Sequence, residues 1–224
     1  MRTLAIAFLL CGASLASQPG TGAEPEKLPK VVLIGDSIRL GYAPVVAKKL
    51  EGKAVVVGPK ANGGDSDNVL KNLKAWAVAE KPDVVHFNCG IHDTKKDRKT
   101  GKFQVPPDQY EANLRKIVGT LRTETKATVI FATTTPIIDD RAAKGRADAA
   151  YELLDASTVE YNRIAARVMK ELDVPVNDLR AACGDDAARG KLIGADGVHF
   201  TPDGRTRLGD AVAAFVSKYL SEKK

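Results

Sequence analysis

Cysteine and aromatic residues are both scarce in this sequence of 224 residues. Three cysteines are too few for the disulfide framework of a small secreted scaffold. Aromatic residues make up 5% of the chain and are not interleaved with a basic face, which argues against nucleic-acid binding. The sequence has no internal repeat or low-complexity tract, so it predicts neither a solenoid nor a disordered module.

A hydrophobic run long enough to span a membrane is also lacking. The apolar run Leu4–Leu10 is shorter than the about 20 residues that a transmembrane helix needs. It follows the positive Met1-Arg2 and precedes the small residues of Ser14-Leu15-Ala16, which predicts a cleaved signal peptide over residues 1–16. A lipoprotein signal at Cys11 is the alternative, but the preceding leucine is not the usual small residue. We therefore expect a secreted or periplasmic protein without stable membrane insertion.

The rest of the chain divides into a linker and one domain. Residues 17–29 are rich in Pro, Gly, Gln and Glu and predict a flexible linker. Residues 30–224 have the length of a single α/β domain, and 44% hydrophobic residues in the whole chain suffice for a core. Two cysteines remain there, Cys89 and Cys183, and a disulfide between them is left open.

The hydrophobic pattern alternates between short β-branched runs and helical stripes. This alternation predicts a three-layer α/β/α sandwich with a central, mostly parallel five-stranded sheet, as in flavodoxin-like folds. Ligands bind beyond the carboxyl ends of the strands in such sheets. The pattern places strands at 30–35, 54–57, 83–89, 127–133 and 174–176, and helices at 44–50, 66–80, 107–123, 156–172 and 202–219.

Two predicted strand ends carry a serine and a pair of glycines. Gly35-Asp36-Ser37 follows the first strand, where the hydroxyl of Ser37 would be exposed at the sheet edge; alternatively, Asp-Ser only caps the next helix. Gly63 and Gly64 follow the second strand, where their backbone N–H groups can face an oxyanion. The residues after them, Asp65 and Ser66, can cap the following helix.

Histidines and acids follow the third strand and precede the last helix. His92 lies just past the third strand, where a donor can reach the site, whereas His86 lies within the strand and is expected to be a core residue. Asp196 stands three residues before His199 in a loop, a spacing that lets the carboxylate orient the imidazole. The sequence thus predicts a nucleophile, backbone donors, side-chain donors and a base at one edge of the sheet.

These segments resemble, in order, the motifs of the SGNH (GDSL-type) hydrolase superfamily. The resemblance implies Ser37 as the nucleophile, with Asp196 and His199 completing a catalytic triad. It implies the N–H groups of Ser37 and Gly64 as oxyanion donors, with Gly63 the less favoured glycine. Asp93 matches the supporting acid that closes the third motif.

The third motif departs from the family pattern. It is usually Gly-x-Asn-Asp and reads Gly90-Ile91-His92-Asp93 here. The Asn would donate its amide N–H to the oxyanion; His92 can donate through a ring nitrogen, and Asn88 is the alternative donor. Loss of such a donor typically costs about 10²–10³ in rate, so the exchange bears directly on activity.

The resemblance implies acyl transfer through an acyl-enzyme, with no metal or organic cofactor. It favours a carbohydrate O-acetylesterase that acts on a small ester or an acetylated glycan. The residues Arg39, Tyr42, Lys95 and Lys96 are candidates to line the pocket or are ordinary surface residues. A basic loop after the fourth strand either covers the site or is simply solvated; it contains Arg141, Lys144 and Arg146.

Three alternatives remain open. A carbohydrate-binding protein could keep the fold and have lost its chemistry through the exchange at His92. A lipase or thioesterase would use the same triad on another acyl group. A metal-dependent hydrolase using His86, His92 and His199 is disfavoured, because no two of these histidines have metal-ligand spacing on one element.

Overall fold

The structure is a computed structural model that describes residues 27–220. The predicted signal peptide, residues 1–16, and residues 17–26 of the predicted linker lie outside the described part of the chain. Residues 27–29 of that linker have no regular secondary structure before the first strand begins at Lys30. No helix within residues 27–220 is long and apolar enough to cross a membrane.

A five-stranded parallel sheet forms the centre of the domain, as predicted. Its strands are ordered β2-β1-β3-β5-β7, so β1 lies between β2 and β3. Val31 pairs with Val84 and Ile34 with Phe87, which aligns the carboxyl ends of β1 and β3. The strands are β1 (Lys30–Ile34), β2 (Val55–Val57), β3 (Val84–Phe87), β5 (Thr128–Ala132) and β7 (Val176–Asn177). An antiparallel pair, β4 (Lys96–Asp97) and β6 (Tyr151–Glu152), lies outside this sheet.

Helices cover both faces of the sheet. Helices α1 and α8 pack against each other, and α3 packs against both α2 and α5. The helices are α1 (Ser37–Lys49), α2 (Ser66–Trp76), α3 (Pro107–Glu124), α4 (Asp139–Gly145), α5 (Asp155–Glu171), α6 (Leu179–Ala182), α7 (Asp186–Leu192) and α8 (Pro202–Ser217). The three-layer arrangement is therefore confirmed.

Two hydrophobic cores hold the layers together. Alternate residues of β1 enter different cores, because successive side chains of a strand point to opposite faces. Val31 and Leu33 join the α1 and α8 side, while Val32 and Ile34 join the α2, α3 and α5 side. All four are buried, and each such side chain contributes about 1.5–3 kcal/mol. The strand that precedes Ser37 is thus fixed from both faces.

The first helix begins earlier than the sequence pattern indicates. The sequence pattern predicts a helix over residues 44–50. Instead α1 starts at Ser37, and Pro44 lies inside it. Asp36 caps the helix by accepting a hydrogen bond from the N–H of Ile38 at 2.8 Å. This cap and the packing of α1 on α8 outweigh the hydrogen bond that proline cannot make.

The two cysteines of the domain are free. Cys89 and Cys183 are both buried, and they belong to the two different cores on opposite faces of the sheet. The disulfide that the sequence left open is therefore not formed. Burial raises the pKa of both thiols, so neither is poised as a reactive thiolate.

Candidate active site

The site lies at the carboxyl edge of the sheet, where β1, β2 and β3 end side by side. Ser37 follows β1 as the first residue of α1, where a backbone N–H has no acceptor within the helix. Gly64 follows β2, and His92 follows β3. Asp36 both precedes the serine and caps the helix, so the capping reading of Gly-Asp-Ser is compatible with the catalytic one.

Ser37, His199 and Asp196 form one hydrogen-bonded chain. The Oγ atom of Ser37 lies 2.8 Å from Nε2 of His199, across 162 positions of sequence. On the other side of the ring, Nδ1 of His199 is hydrogen-bonded to Oδ2 of Asp196. A serine, a base and an orienting acid in contact in this order can transfer a proton from the hydroxyl.

Asp196 is held as an anion by its own turn. Its Oδ1 accepts the backbone N–H groups of Val198 at 3.0 Å and His199 at 2.9 Å. Partial burial raises the pKa of Asp196, but these bonds and the contact with the His199 side chain outweigh it and lower the pKa to about 2. The carboxylate can therefore stabilise a positive imidazole at any ordinary assay pH.

Gly64, in the loop after β2, has a backbone conformation that favours glycine. Its φ is +63°, in the left-handed region. Its N–H donates to Oδ1 of Asn62 at 2.9 Å, an exposed contact that a ligand oxygen can replace or share. The N–H of Gly63 instead donates to the carbonyl of Gly35 at 2.9 Å, so Gly63 is engaged in joining the first two loops.

His92 lies within electrostatic range of the other site residues. Burial lowers the pKa of its imidazole and the Lys95 ammonium lowers it further, against the effects of Asp36 and Asp65. The pKa of Asp36 is raised by burial and lowered in turn by His92, so the two groups are neighbours. A neutral His92 has one ring N–H to donate, which is what an oxyanion requires.

Asn88, directly after β3, and His86, within β3, are less available to a ligand. Asn88 is 7% exposed, and its Oδ1 is packed beside Gly35, where a Cβ on the glycine would lie 2.0 Å away. His86 is fully buried in β3, with Nε2 3.1 Å from Nδ2 of Asn177, and burial lowers its pKa to about 4. It is a core residue.

Within residues 27–220 no group of three His, Cys, Asp or Glu residues could hold a metal ion.

Asp93 joins the third loop to the start of α2. Its two carboxylate oxygens accept the backbone N–H of Ser66 at 3.0 and 3.2 Å. Burial raises the pKa of Asp93 to about 7, although hydrogen bonds from Ser66 lower it. Among the hydrogen bonds of residues 27–220 its carboxylate accepts from Ser66 and not from Ser37 or His199, so Asp93 lies behind the site.

Asp93→Asn should change the pH dependence of stability. The pKa of Asp93 is raised above its unfolded value, so its contribution is full below about pH 4 and lost as the pH rises through about 7. Relative to the variant, the wild type should lose about 2–4 kcal/mol of unfolding free energy between pH 4 and 8. Urea unfolding of both proteins across this range measures it; parallel curves would contradict it. Asp93→Ala should cost about 1–3 kcal/mol below pH 4 by leaving the Ser66 N–H unpaired, and this cost should shrink as the pH rises, because the alanine variant also lacks the titrating carboxyl.

Several residues proposed to line a pocket are structural. Arg39 is 2% exposed and donates to the carbonyls of Gly35, Pro59 and Ala61, and Tyr42 is fully buried. The prediction of pocket or surface positions for these two is wrong. Arg39 instead links the first and second loops, which no motif in the sequence indicates. Lys95 is half-buried, with its ammonium 5.0 Å from the ring centre of Tyr151.

The basic loop predicted after the fourth strand is largely a helix, α4. Lys144 is exposed on it, as a solvated residue would be. Arg141 and Arg146 instead donate to backbone carbonyls of residues 190–196. Arg146 therefore anchors the turn that carries Asp196, and Arg141 anchors the segment before that turn, rather than covering the site.

The fold and the hydrogen-bonded series Ser37, His199 and Asp196 are together those of a hydrolase. The chain belongs to the GDSL-like lipase/acylhydrolase family, whose sequence profile matches residues 11–207. It is 27% identical over 194 residues to the isoamyl acetate-hydrolyzing esterase 1 homolog of Rattus norvegicus, covering 80% of this chain and 78% of the relative.

Two solved structures share the fold. A lipase/acylhydrolase from Enterococcus faecalis has a TM-score of 0.72 at 24% identity, covering 88% of this chain and 100% of its own. Axe2, an acetylxylan esterase from Geobacillus stearothermophilus, has a TM-score of 0.67 at 21% identity, covering 88% and 96%.

Proposed function

We propose that this protein is an exported serine esterase that removes acetyl groups from carbohydrates. The observation that carries the proposal is the hydrogen-bonded chain from Ser37 through His199 to Asp196. No other group is needed for the chemistry, because a Ser-His-Asp chain with oxyanion donors suffices for acyl transfer. Export rests on the predicted signal peptide, residues 1–16.

The proposed mechanism gives each group of the site one role. Oγ of Ser37 attacks the ester carbonyl while Nε2 of His199 takes its proton, and Asp196 stabilises the imidazolium. The N–H groups of Ser37 and Gly64 and the ring N–H of His92 receive the developing oxyanion. His199 then protonates the leaving alcohol. In the second half of the reaction, water attacks the acyl-enzyme while His199 takes its proton, and His199 returns that proton to Oγ of Ser37 as the acid is released.

An open site favours a short acyl group on a bulky alcohol. The side chains of His199 and Asp196 are 49% and 38% exposed, so the leaving-group side of the site is open to solvent. A polysaccharide can approach such a surface, whereas a long acyl chain needs an apolar channel to bury it. Similar proteins named for isoamyl acetate and acetylxylan also point to acetate as the acyl group.

Acetate release by the mature protein tests this function. Protein beginning at residue 17 is assayed on p-nitrophenyl acetate, on p-nitrophenyl decanoate and on acetylated xylan. We expect rapid hydrolysis of the acetates, slow hydrolysis of the decanoate, and labelling of Ser37 by a fluorophosphonate probe, located by peptide mass mapping. Faster turnover of the decanoate would indicate a lipase instead. No turnover and no labelling would favour a carbohydrate-binding protein, the reading that the histidine in the third motif keeps open.

His92→Ala should lower kcat on p-nitrophenyl acetate by about 10²–10³, because one oxyanion donor is lost. His92→Asn should recover most of the rate, since asparagine supplies an amide N–H at the same position. The KM values should change little in both variants, because the oxyanion exists only in the transition state. Steady-state kinetics measure these effects. An alanine variant within threefold of the wild type would remove His92 from the oxyanion site.

A further inference from the structure

The turn that carries Asp196 is fitted closely against α4. A Cβ on Gly145 would lie 3.3 Å from Cα of Asp196. Gly197 has a φ of +71°, and a Cβ there would lie 2.4 Å from the backbone nitrogen of Ala142. Only glycine at 197 allows this conformation and this approach without strain.

Hydrogen bonds join the same two elements. The N–H of Ile138, at the start of α4, donates to the carbonyl of Gly197 at 2.9 Å. At the other end of the helix, Nη1 of Arg146 donates to the carbonyl of Asp196 at 2.8 Å. The residues at the two ends of α4 therefore both donate to the Asp196–Gly197 segment, one through a backbone N–H and one through a charged side chain.

Burial alone does not fix this turn. The side chain of Asp196 is 38% exposed, and its carboxylate oxygens bond only to atoms of residues 198 and 199 in the hydrogen bonds of the described chain. Those bonds shape the turn internally but do not place it relative to Ser37. Placement requires contacts to other elements, and the Arg146 bond is one that reaches Asp196 itself.

Arg146 is in turn supported from its other side. Arg98 donates from Nη2 to the carbonyl of Arg146 at 3.4 Å and from Nε to the carbonyl of Ala149 at 3.1 Å. The N–H of Arg98 also donates to the carbonyl of Ala150 at 2.9 Å. Arg146 is thus held between the segment after β4 and the turn of Asp196.

We propose that Arg146 is a positioning residue, which sets the place of the Asp196–His199 pair relative to Ser37 through its bond to the carbonyl of Asp196. The inference rests on the proposed function. In this proposal Arg146 affects proton transfer by holding Asp196 and His199 in place, and it does not contact the substrate. Arg141, which lies within α4 whereas Arg146 directly follows it, donates to the carbonyls of Ile193 and Gly190 at 2.7 and 3.1 Å, and so anchors the preceding segment.

This difference makes Arg141→Met the matched control for Arg146→Met. Both changes keep an unbranched side chain and remove guanidinium bonds to carbonyls. We expect Arg146→Met to lower kcat on p-nitrophenyl acetate by about 10–100-fold with an unchanged KM, the cost of displaced reacting groups. Arg141→Met should leave kcat near the wild-type value even where its urea unfolding midpoint falls. Equal kcat values for the two variants would overturn the proposal.

A double-mutant cycle separates positioning from general weakening. In the Asp196→Asn background, Arg146→Met should lower kcat no further, because the group through which it acts has already been disabled. A full, multiplicative loss there would contradict the proposal. Arg146→Lys, which keeps the charge and a donor, should show an intermediate kcat and serves if the methionine variant does not fold; a rate equal to the wild type's would count against the proposal.

The acidic limb of the pH profile of kcat/KM gives an independent readout. It reports protonation of the free enzyme's base. It should move in Arg146→Met and stay in place in Arg141→Met. An inactive wild type would overturn the proposed function itself. An active wild type together with an Arg146→Met variant of unchanged kcat and pH profile would overturn this inference alone.

Discussion

Ser37→Ala should lower kcat on p-nitrophenyl acetate by about 10⁴–10⁶-fold, since removal of a serine nucleophile leaves only oxyanion binding and proximity. The fold should survive. The hydroxyl of Ser37 bonds to His199 at the surface, and the cap of α1 is made by Asp36, which stays in place. The KM should remain measurable, because the pocket is unchanged.

A second serine serves as the control for this measurement. Ser217, in the last turn of α8, donates its hydroxyl to the carbonyl of Ala213 at 2.8 Å. Ser217→Ala should keep the wild-type rate, and matching circular dichroism spectra should show that both variants are folded. If Ser37→Ala kept more than a tenth of the wild-type kcat, the acyl-enzyme mechanism would be wrong.

Asp196→Asn should lower kcat by about 10⁴-fold while leaving the turn in place. An asparagine can keep the two bonds that Oδ1 accepts from the N–H groups of Val198 and His199. It loses the negative charge beside the imidazole, and its amide N–H would face Nδ1 and favour the wrong tautomer. The loss should therefore fall on kcat.

The pH dependence of the same carboxylate is part of this prediction. The folded-state pKa of Asp196 is lowered to about 2, so the carboxylate's contribution to stability is present above about pH 4 and lost as the pH falls toward 2. Wild-type activity should not depend on protonation of Asp196 between pH 5 and 9. Stopped assays of the wild type across that range measure this pH dependence. Asp186→Asn, which changes an exposed carboxylate, is the control for a general effect of losing one negative charge. An Asp196→Asn rate within tenfold of the wild type would contradict the role.

The sheet could be predicted because its strands are buried on both faces. The run Val31–Ile34 is continuously apolar, and Val84–Phe87 is apolar except for His86, as strands of a buried parallel sheet are expected to be. Parallel strands then bring the residues that follow them to one edge. For this reason the sequence predicts Ser37, Gly64 and His92 at one edge, and each of them follows a strand of the sheet in the structure.

The parts that were not predicted depend on contacts between distant segments. Helix α1 begins before Pro44 because Asp36 and the packing on α8 decide its start, and neither is visible in local propensity. Arg39 is buried by three carbonyls of other loops. Likewise Arg146 could be recognised only as a basic residue, because its partner is a backbone carbonyl 50 positions away. Backbone acceptors carry no signature in a sequence.

The proposed triad is divided between two parts of the molecule that differ in how deeply they are built into it. Ser37 closely follows a strand buried in both cores, whereas the side chains of Asp196 and His199 are partly exposed in a turn that contributes only Val198 to the core. Local opening is least costly where a segment has little burial and few external bonds. We therefore expect this turn to open at a lower free energy than the sheet, so that the proposed activity would be lost before the fold is.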